Sequence, residues 1–151
     1  MAFATGYLDD PRAVGAGEQI GENHIAFTYD TFEDNLVVGR FAKLDSGSLD
    51  NMDGSATPTV AGVVLRKISN ATEDGSTIDN GLYDAAEAER FGLATVDIRS
   101  GLTITKFDTV YAYNAAGADV GKATNVGTDA IEIDAEFIEE VSDSVWTIRL
   151  K

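Results

Sequence analysis

Apolar and polar residues alternate along several short segments, and this alternation is the clearest signal in the chain. It is regular in residues 91–100, 130–141 and 144–150. In 130–141, isoleucines and a phenylalanine fall on one side, and acids such as Glu132 and Asp134 fall on the other. A half-buried β-strand requires a period of two. The pattern therefore predicts three strands in the second half of the chain.

Two further apolar segments, 36–44 and 59–68, lie in the first half. The intervals 45–58 and 69–81 that follow them are rich in Asp, Asn, Gly and Ser. These residues favour turns, because they tolerate left-handed backbone or hydrogen-bond to their own main chain. The order of strand and turn signals is typical of an antiparallel sheet.

The remaining segments fit the same class. Residues 109–114 and 119–124 flank a run of small residues and predict a hairpin. Only 83–90 has good helical propensity, and its length fits one turn of helix or the irregular start of a strand. We therefore expect an all-β protein, either a single antiparallel barrel or a jelly-roll-like sandwich.

The first 35 residues lack sustained periodicity and carry scattered glycines and aromatics. They predict an extended N-terminal arm, residues 1–35, ahead of a β domain, residues 36–151. Within the arm, Gly15–Gly21 is spaced like a dinucleotide-binding loop. Such a loop needs an apolar strand before it and an amphipathic helix after it, and the sequence offers neither. We expect no nucleotide and no other cofactor.

Charge limits the classes of partner. The 151 residues include 11 basic and 26 acidic side chains, a formal net charge of −15. A body this acidic repels phosphate, so neither nucleic acid nor an anionic membrane is an expected partner. The chain has no cysteine. Acids stand where a signal peptide would carry basic residues, so we expect synthesis and use without export.

Candidate catalytic and metal-binding residues are few. His24 is the only histidine, and it stands in a glycine-rich segment without a surrounding framework. Asp45, Asp50 and Asp53 suggest calcium, but their spacing does not match an EF-hand, and a solvated turn is the preferred interpretation. The acids of 132–140 share the outward side of one predicted strand, where they keep a sheet edge soluble. These observations favour a protein that is not an enzyme.

The order of several short motifs resembles the cement, or head decoration, proteins of tailed bacteriophages. The resemblance covers residues 5–151, although each motif is short. Phe107 stands where the family usually has glycine. The motifs are Tyr7, Pro11 and the spaced glycines of the arm, LVVGRFAKL (36–44), GVVLR (62–66), Tyr83 with GLATV (92–96), FDTVYAY (107–113), NAAG (114–117) and the closing AEFIEEVSDSVWTIRL (135–150).

The resemblance implies a structural protein on the outer surface of the virion, made in the host cytoplasm. Its partners would be the major capsid protein, whose shell it stabilises, and other copies of itself, with a trimer favoured over a dimer. Residues 1–30 would form a major contact surface, since an arm with apolar side chains can order in a groove. The candidate contact residues are Phe3, Tyr7, Leu8, Pro11, Arg12 and Ile20.

One alternative belongs to a different class. A carbohydrate- or cell-surface-binding β module needs exposed aromatic residues on one platform. Trp146, the only tryptophan, lies in an alternating strand, where a role in the core or a subunit interface is expected.

Overall fold

The computed structural model describes residues 16–66 and 76–151, except for the side chain of Glu22. The described residues form strands joined by turns and contain no helix. The strands are β1 (Gln19–Tyr29), β2 (Leu36–Val37), β3 (Phe41–Asp45), β4 (Ser48–Asn51), β5 (Thr59–Val64), β6 (Thr77–Ile78), β7 (Ala86–Asp97), β8 (Thr109–Tyr113), β9 (Ala123–Thr124), β10 (Ala130–Ser142) and β11 (Val145–Leu150).

Strand β7 organises the main sheet. Eight strands follow the order β4-β3-β5-β7-β11-β10-β8-β9, and β1 pairs with β7 as a ninth; β2 and β6 form a separate pair. On one edge, β7 pairs first with β5 at Ala88 and Glu89 and then with β11 from Gly92 to Asp97. Its other edge pairs with β1 between Ala86 and Ala94. All of these pairs between strands are antiparallel.

Two apolar clusters hold the strands together. One centres on Phe41, Phe137 and Ile148, and the other on Leu36 and Leu49. Neighbouring residues of β3 and of β5 contribute to different clusters, as expected for strands with both faces covered. The result is a sandwich-like arrangement in which burial of apolar side chains supplies the main stabilising free energy.

The predicted all-β class is confirmed. The sequence left open a barrel or a jelly-roll-like sandwich; the described strands form a sandwich-like arrangement and do not close into a barrel, and the jelly-roll topology stays a prediction. The predicted hairpin is present, since β8 pairs with β9. Residues 86–90 belong to β7, so the segment with helical propensity starts a strand. Residues 19–29, inside the range assigned to the arm, form β1.

Phe107 adopts a backbone φ of +74°. In this left-handed region a Cβ atom is strained, whereas glycine is not. The Phe107 amide donates to the Phe137 carbonyl oxygen at 2.7 Å, which fixes the turn before β8 to the core strand β10. The glycine that phage cement proteins usually have here therefore suits the conformation better than the phenylalanine of this chain.

Candidate contact surface

The largest exposed apolar side chains of β1 lie beside one from β7. Ile25, Phe27 and Phe91 are 53%, 49% and 45% exposed. Ile25 and Phe91 are direct partners across the two strands, which places their side chains next to each other. The guanidinium carbon of Arg90 lies 5.7 Å from the centre of the Phe27 ring. We call these four residues the β1–β7 patch; exposed clusters of this kind are typical of interaction sites.

A groove of about 650 Å³ adjoins the patch. Ile20, Phe91 and Leu93 form much of its apolar lining, together with Leu150 of β11. Two cations of the lining, Arg149 and Lys151, both bind the carboxylate of Glu136, at 3.0 and 3.2 Å. The groove thus combines apolar walls with one cluster of paired charges. This mixture suits an apolar segment better than a small polar ligand.

The groove lies beside a bulge of β1 that crosses over Gly92 of β7. Ile20 pairs with Leu93, but Ile25 pairs with Phe91, so four residues of β1 lie opposite Gly92 alone. Gly92 has a φ of +106°, and a Cβ atom there would lie 2.5 Å from the carbonyl oxygen of Asn23. Only glycine allows the bulge to approach this closely.

The buried carboxylate of Glu89 anchors the start of the bulge through Gln19. Gln19 Nε2 donates a 2.6 Å hydrogen bond to Glu89 Oε2 and lies 3.0 Å from His24 Nδ1. Glu89 is fully buried, and its Oε1 has no hydrogen-bond partner among residues 16–66 and 76–151. Burial raises the pKa of Glu89, although the bond from Gln19 and the nearby His24 oppose the shift. The contact joins β1 to the middle of the sheet.

The start of β1 is fixed to the core as well. The Gly17 amide donates to the Thr95 carbonyl oxygen at 2.7 Å, and the Arg66 amide donates to the Gly17 carbonyl oxygen at 2.9 Å. Arg66 also forms a salt bridge of 3.3 Å with Glu18. Within the glycine-spaced segment 15–21, the strand β1 begins at Gln19, where a dinucleotide loop would lead into a helix.

Of the predicted contact residues, Ile20 is partly buried and lines the groove. The other five, Phe3, Tyr7, Leu8, Pro11 and Arg12, lie outside the described residues.

Ile25 and Phe27 lie within residues 1–30, which the sequence predicts as a contact surface, but neither was named individually, and Phe91 lies outside that range. A signal was present, because apolar residues occupy every second position in 25–29.

The other candidates have structural roles. Asp53 accepts a 2.8 Å bond from the nearly buried Lys43, which holds the pKa of Asp53 well below its usual range, and Asp50 accepts one of 2.6 Å from Ser48. Among the described residues, no three His, Cys, Asp or Glu side chains form a metal-binding group.

The Trp146 ring packs edge-on against Phe137, with 5.7 Å between ring centres. Within the same residues, no helix has the length and apolar character needed to cross a membrane.

Comparisons with known proteins agree on one family. The model of the XM1 gp53 minor capsid protein family matches residues 4–151. A chain from the solved capsid of Myoviridae phage XM1 is 35% identical and has a TM-score of 0.85, and the match covers 91% of this chain and 90% of that chain. No curated protein matches. The chain therefore belongs to the XM1 gp53 minor capsid protein family and is a structural protein of a phage virion.

Proposed function

We propose that the protein is a cement protein, which binds the outer surface of the major capsid shell and stabilises it without catalysing a reaction. The observation that carries this proposal is the β1–β7 patch, an exposed apolar surface on a protein of a minor capsid family. Such a surface gains free energy when a partner covers it, at about 25 cal/mol per Å² of apolar area. The shell protein is the partner that a minor capsid protein meets in the virion.

The N-terminal residues extend this contact surface. In the sequence, residues 1–15 precede Gly17, which is hydrogen-bonded to the core, and Ile20, which lines the groove. We infer that Phe3, Tyr7, Leu8, Pro11 and Arg12 contact the shell together with Ile20. Residues 1–35 then supply most of the contact surface, Arg90 and Phe91 of β7 complete it, and residues 36–151 supply the rest of the sandwich.

Charge supports a place outside the shell. A net charge of −15 opposes binding to packaged nucleic acid and to anionic membranes. Each copy needs only modest affinity, because many symmetry-related copies act on one connected shell. If the protein is a homo-oligomer, each oligomer would bind the shell at several neighbouring positions.

Binding to purified shells that lack the protein tests the proposal. We expect the wild type to sediment with the shells and to raise their melting temperature. A variant without residues 1–14 keeps Gly17 and the first bonds of β1, and it should lose binding while keeping its fold. The double variant Phe27→Ser and Phe91→Ser should also bind weakly, whereas Leu82→Ser, which changes a still more exposed leucine elsewhere, should bind normally.

Electron cryo-microscopy of the saturated shells then locates the density. Density on the inner surface, or full binding by both the truncated and the double variant, would contradict the proposal. The alternative of a glycan-binding module gains no support from Trp146, whose ring packs on the core. Glycan-array binding at the β1–β7 patch, with no binding to shells, would nevertheless favour it.

A further inference from the structure

We propose that the turn carrying Phe107 inserts into a cleft between β5 and β10 of a second copy, so that copies of the chain associate head to tail. The inference rests on the homo-oligomeric part of the proposed function and not on binding to the shell. It assigns the contact between copies to a surface other than the β1–β7 patch, which the proposed function gives to the shell. A head-to-tail contact that closes after three copies gives the trimer that the family resemblance favours.

The first argument is the strained and exposed ring of Phe107. The residue has a φ of +74°, and it is 60% exposed. Backbone strain of this kind persists where the surrounding structure imposes it, and such residues cluster at functional sites. Because the ring gains little packing within the single chain, packing against a partner is its expected role.

The second argument is the rigidity of the turn. The Phe107 amide donates to the Phe137 carbonyl oxygen at 2.7 Å. The Asp108 carboxylate accepts one bond from the Thr105 amide, at 2.9 Å, and another from Asn125 Nδ2, at 2.8 Å. A side chain that is held in place before binding loses little conformational freedom when a partner covers it. The turn therefore presents Phe107 as a preorganised anchor.

The third argument is a cleft where the main sheet divides. β5 pairs with β7 at Val63 and Val64, whereas β11 pairs with β7 and β10 as far as Leu150. Between these pairings, residues 60–62 of β5 and 131–134 of β10 form the two walls of a cleft of about 280 Å³. An apolar cavity of about 150 Å³ is enough to hold a benzene ring, so the volume admits a phenylalanine side chain.

The cleft offers apolar contacts to such a ring. Phe41 and Leu150 in its lining belong to the core cluster around Phe137, and Ile131 and Ile133 pack against that cluster. An inserted ring would therefore continue the core of the sandwich. Burial of the ring from water is the main source of the binding free energy.

The fourth argument is charge complementarity. Lys106 Nζ lies 5.1 Å from the centre of the Phe107 ring, and Lys106 forms no salt bridge with a described residue. Glu132 and Asp134 are exposed at the cleft, and neither forms a salt bridge within residues 16–66 and 76–151. Insertion of the ring brings Lys106 of one copy toward these two acids of the next. Between two acidic bodies, this local attraction selects the surfaces that meet.

The cleft is separate from the surface proposed for the shell. Arg90 is the one member of the β1–β7 patch that also lines the cleft. Arg90 lies over the Phe27 ring, and Lys151 pairs with Glu136 at 3.2 Å, so the two cations of the cleft lining already have partners. A second copy therefore occupies the cleft and leaves the apolar side chains of the patch to the shell.

Sedimentation velocity of the full chain at micromolar concentrations tests the contact. Phe107→Gly removes the ring and relieves the backbone strain, so a loss of association does not come from a loss of fold. We expect it to raise the dissociation constant about 10–100-fold, the effect of one buried phenylalanine. Leu82→Gly changes a leucine that is 61% exposed, and it should leave the dissociation constant unchanged.

Reversal of the acids tests the cleft. The double variant Glu132→Lys and Asp134→Lys should also raise the dissociation constant. The matched control is Asp84→Lys and Asp143→Lys, which reverses two exposed acids outside the cleft lining and should associate at least as well as the wild type. Both double variants change the net charge equally, so the difference between them reports the contact and not the general repulsion between copies.

A mixture of two defective proteins tests the head-to-tail geometry. Phe107→Gly keeps an intact cleft, and the Glu132→Lys and Asp134→Lys variant keeps an intact ring. Mixed at a concentration where each protein alone is monomeric, they should form a 1:1 dimer held by one complete contact.

A monomeric wild type, unchanged association of Phe107→Gly, equal association of the two lysine double variants, or a mixture that stays monomeric would overturn the contact. None of these measurements uses shells. Copies that associate through Phe107 but bind no shell would contradict the cement function and support the contact, whereas a monomer that binds shells would do the reverse.

Discussion

Gln19 Nε2 donates a 2.6 Å hydrogen bond to Glu89 Oε2 and so ties the first residue of β1 to the first half of β7. Glu89 is buried, and its pKa is raised chiefly because burial disfavours the charged form. The folded protein therefore binds a proton at Glu89 more tightly than the unfolded chain does. As the pH falls through the folded pKa of Glu89 toward its ordinary value of 4.5, this group makes folding more favourable.

Glu89→Gln should remove that pH dependence. We expect urea midpoints of the wild type, measured from pH 8 to pH 5, to rise relative to those of Glu89→Gln. Asp97 also has a pKa raised by burial, but it is present in both proteins, so the difference isolates Glu89. Glu87 raises and His24 lowers the pKa of Glu89, so the series is repeated in a His24→Gln background, where the difference should grow. Parallel curves for wild type and Glu89→Gln would contradict this account.

Gly92→Ala should release the bulge of β1. The substitution strains a residue at φ +106° and places its Cβ 2.5 Å from the Asn23 carbonyl oxygen. We expect the free energy of unfolding to fall by about 3 kcal/mol, at the upper end of the cost of backbone strain. Gly101→Ala is the control, because Gly101 has a φ of +77° but open space around its Cβ position. Its cost should stay near 1 kcal/mol.

Hydrogen exchange separates local from global effects of Gly92→Ala. The amides of 25–29 should lose protection first if the bulge alone is released, while those of β10 and β11 keep theirs. Equal costs for the two alanine variants would show that the approach of Asn23 to Gly92 does not matter.

Phe137→Ala should destabilise the larger core cluster and change the fluorescence of Trp146. Phe137 is fully buried and makes an edge-on contact with the Trp146 ring, at 5.7 Å between centres. Truncation of a buried phenylalanine typically costs about 3–5 kcal/mol. Because Trp146 is the only tryptophan, its fluorescence maximum should shift to longer wavelength in the folded variant. Leu82→Ala, at an exposed site, should change stability by less than about 0.5 kcal/mol and leave the fluorescence unchanged.

The sequence predicted the strands that have one buried and one exposed face. In β10, exposed Glu132 and Asp134 alternate with partly buried isoleucines, and the period of two is directly readable. The start of β7 does not show this alternation, because Ala86, Ala88 and Glu89 are all buried between β1 and β5. Its alanines and glutamates carry helical propensity, which tertiary pairing overrides.

The residues of the proposed contact surface were only partly readable from the sequence. Ile20 was named from its place in the arm and lines the groove, and its contact with the shell stays a prediction. Phe91 became a surface residue only because β1 bulges over Gly92, a relationship between residues about 70 positions apart in the chain. Periodicity describes neighbours along one strand and carries no information on which strands meet. The choice between sandwich and barrel depended on the same long-range pairing.

Phe107→Gly should stabilise the protein, although it removes an aromatic side chain. Phe107 is 60% exposed, so little packing is lost, and its φ of +74° carries a strain of about 1–2 kcal/mol for a residue with a Cβ atom. Glycine removes the strain but gives the unfolded chain more freedom, at a cost of about 0.4–1 kcal/mol. We expect a net gain of about 0.5–1 kcal/mol in the free energy of unfolding, measured by urea titration. Phe107→Ala is the matched control, because alanine keeps the strain, and it should give no gain; stabilisation by both variants would assign the effect to loss of the exposed ring instead of the backbone.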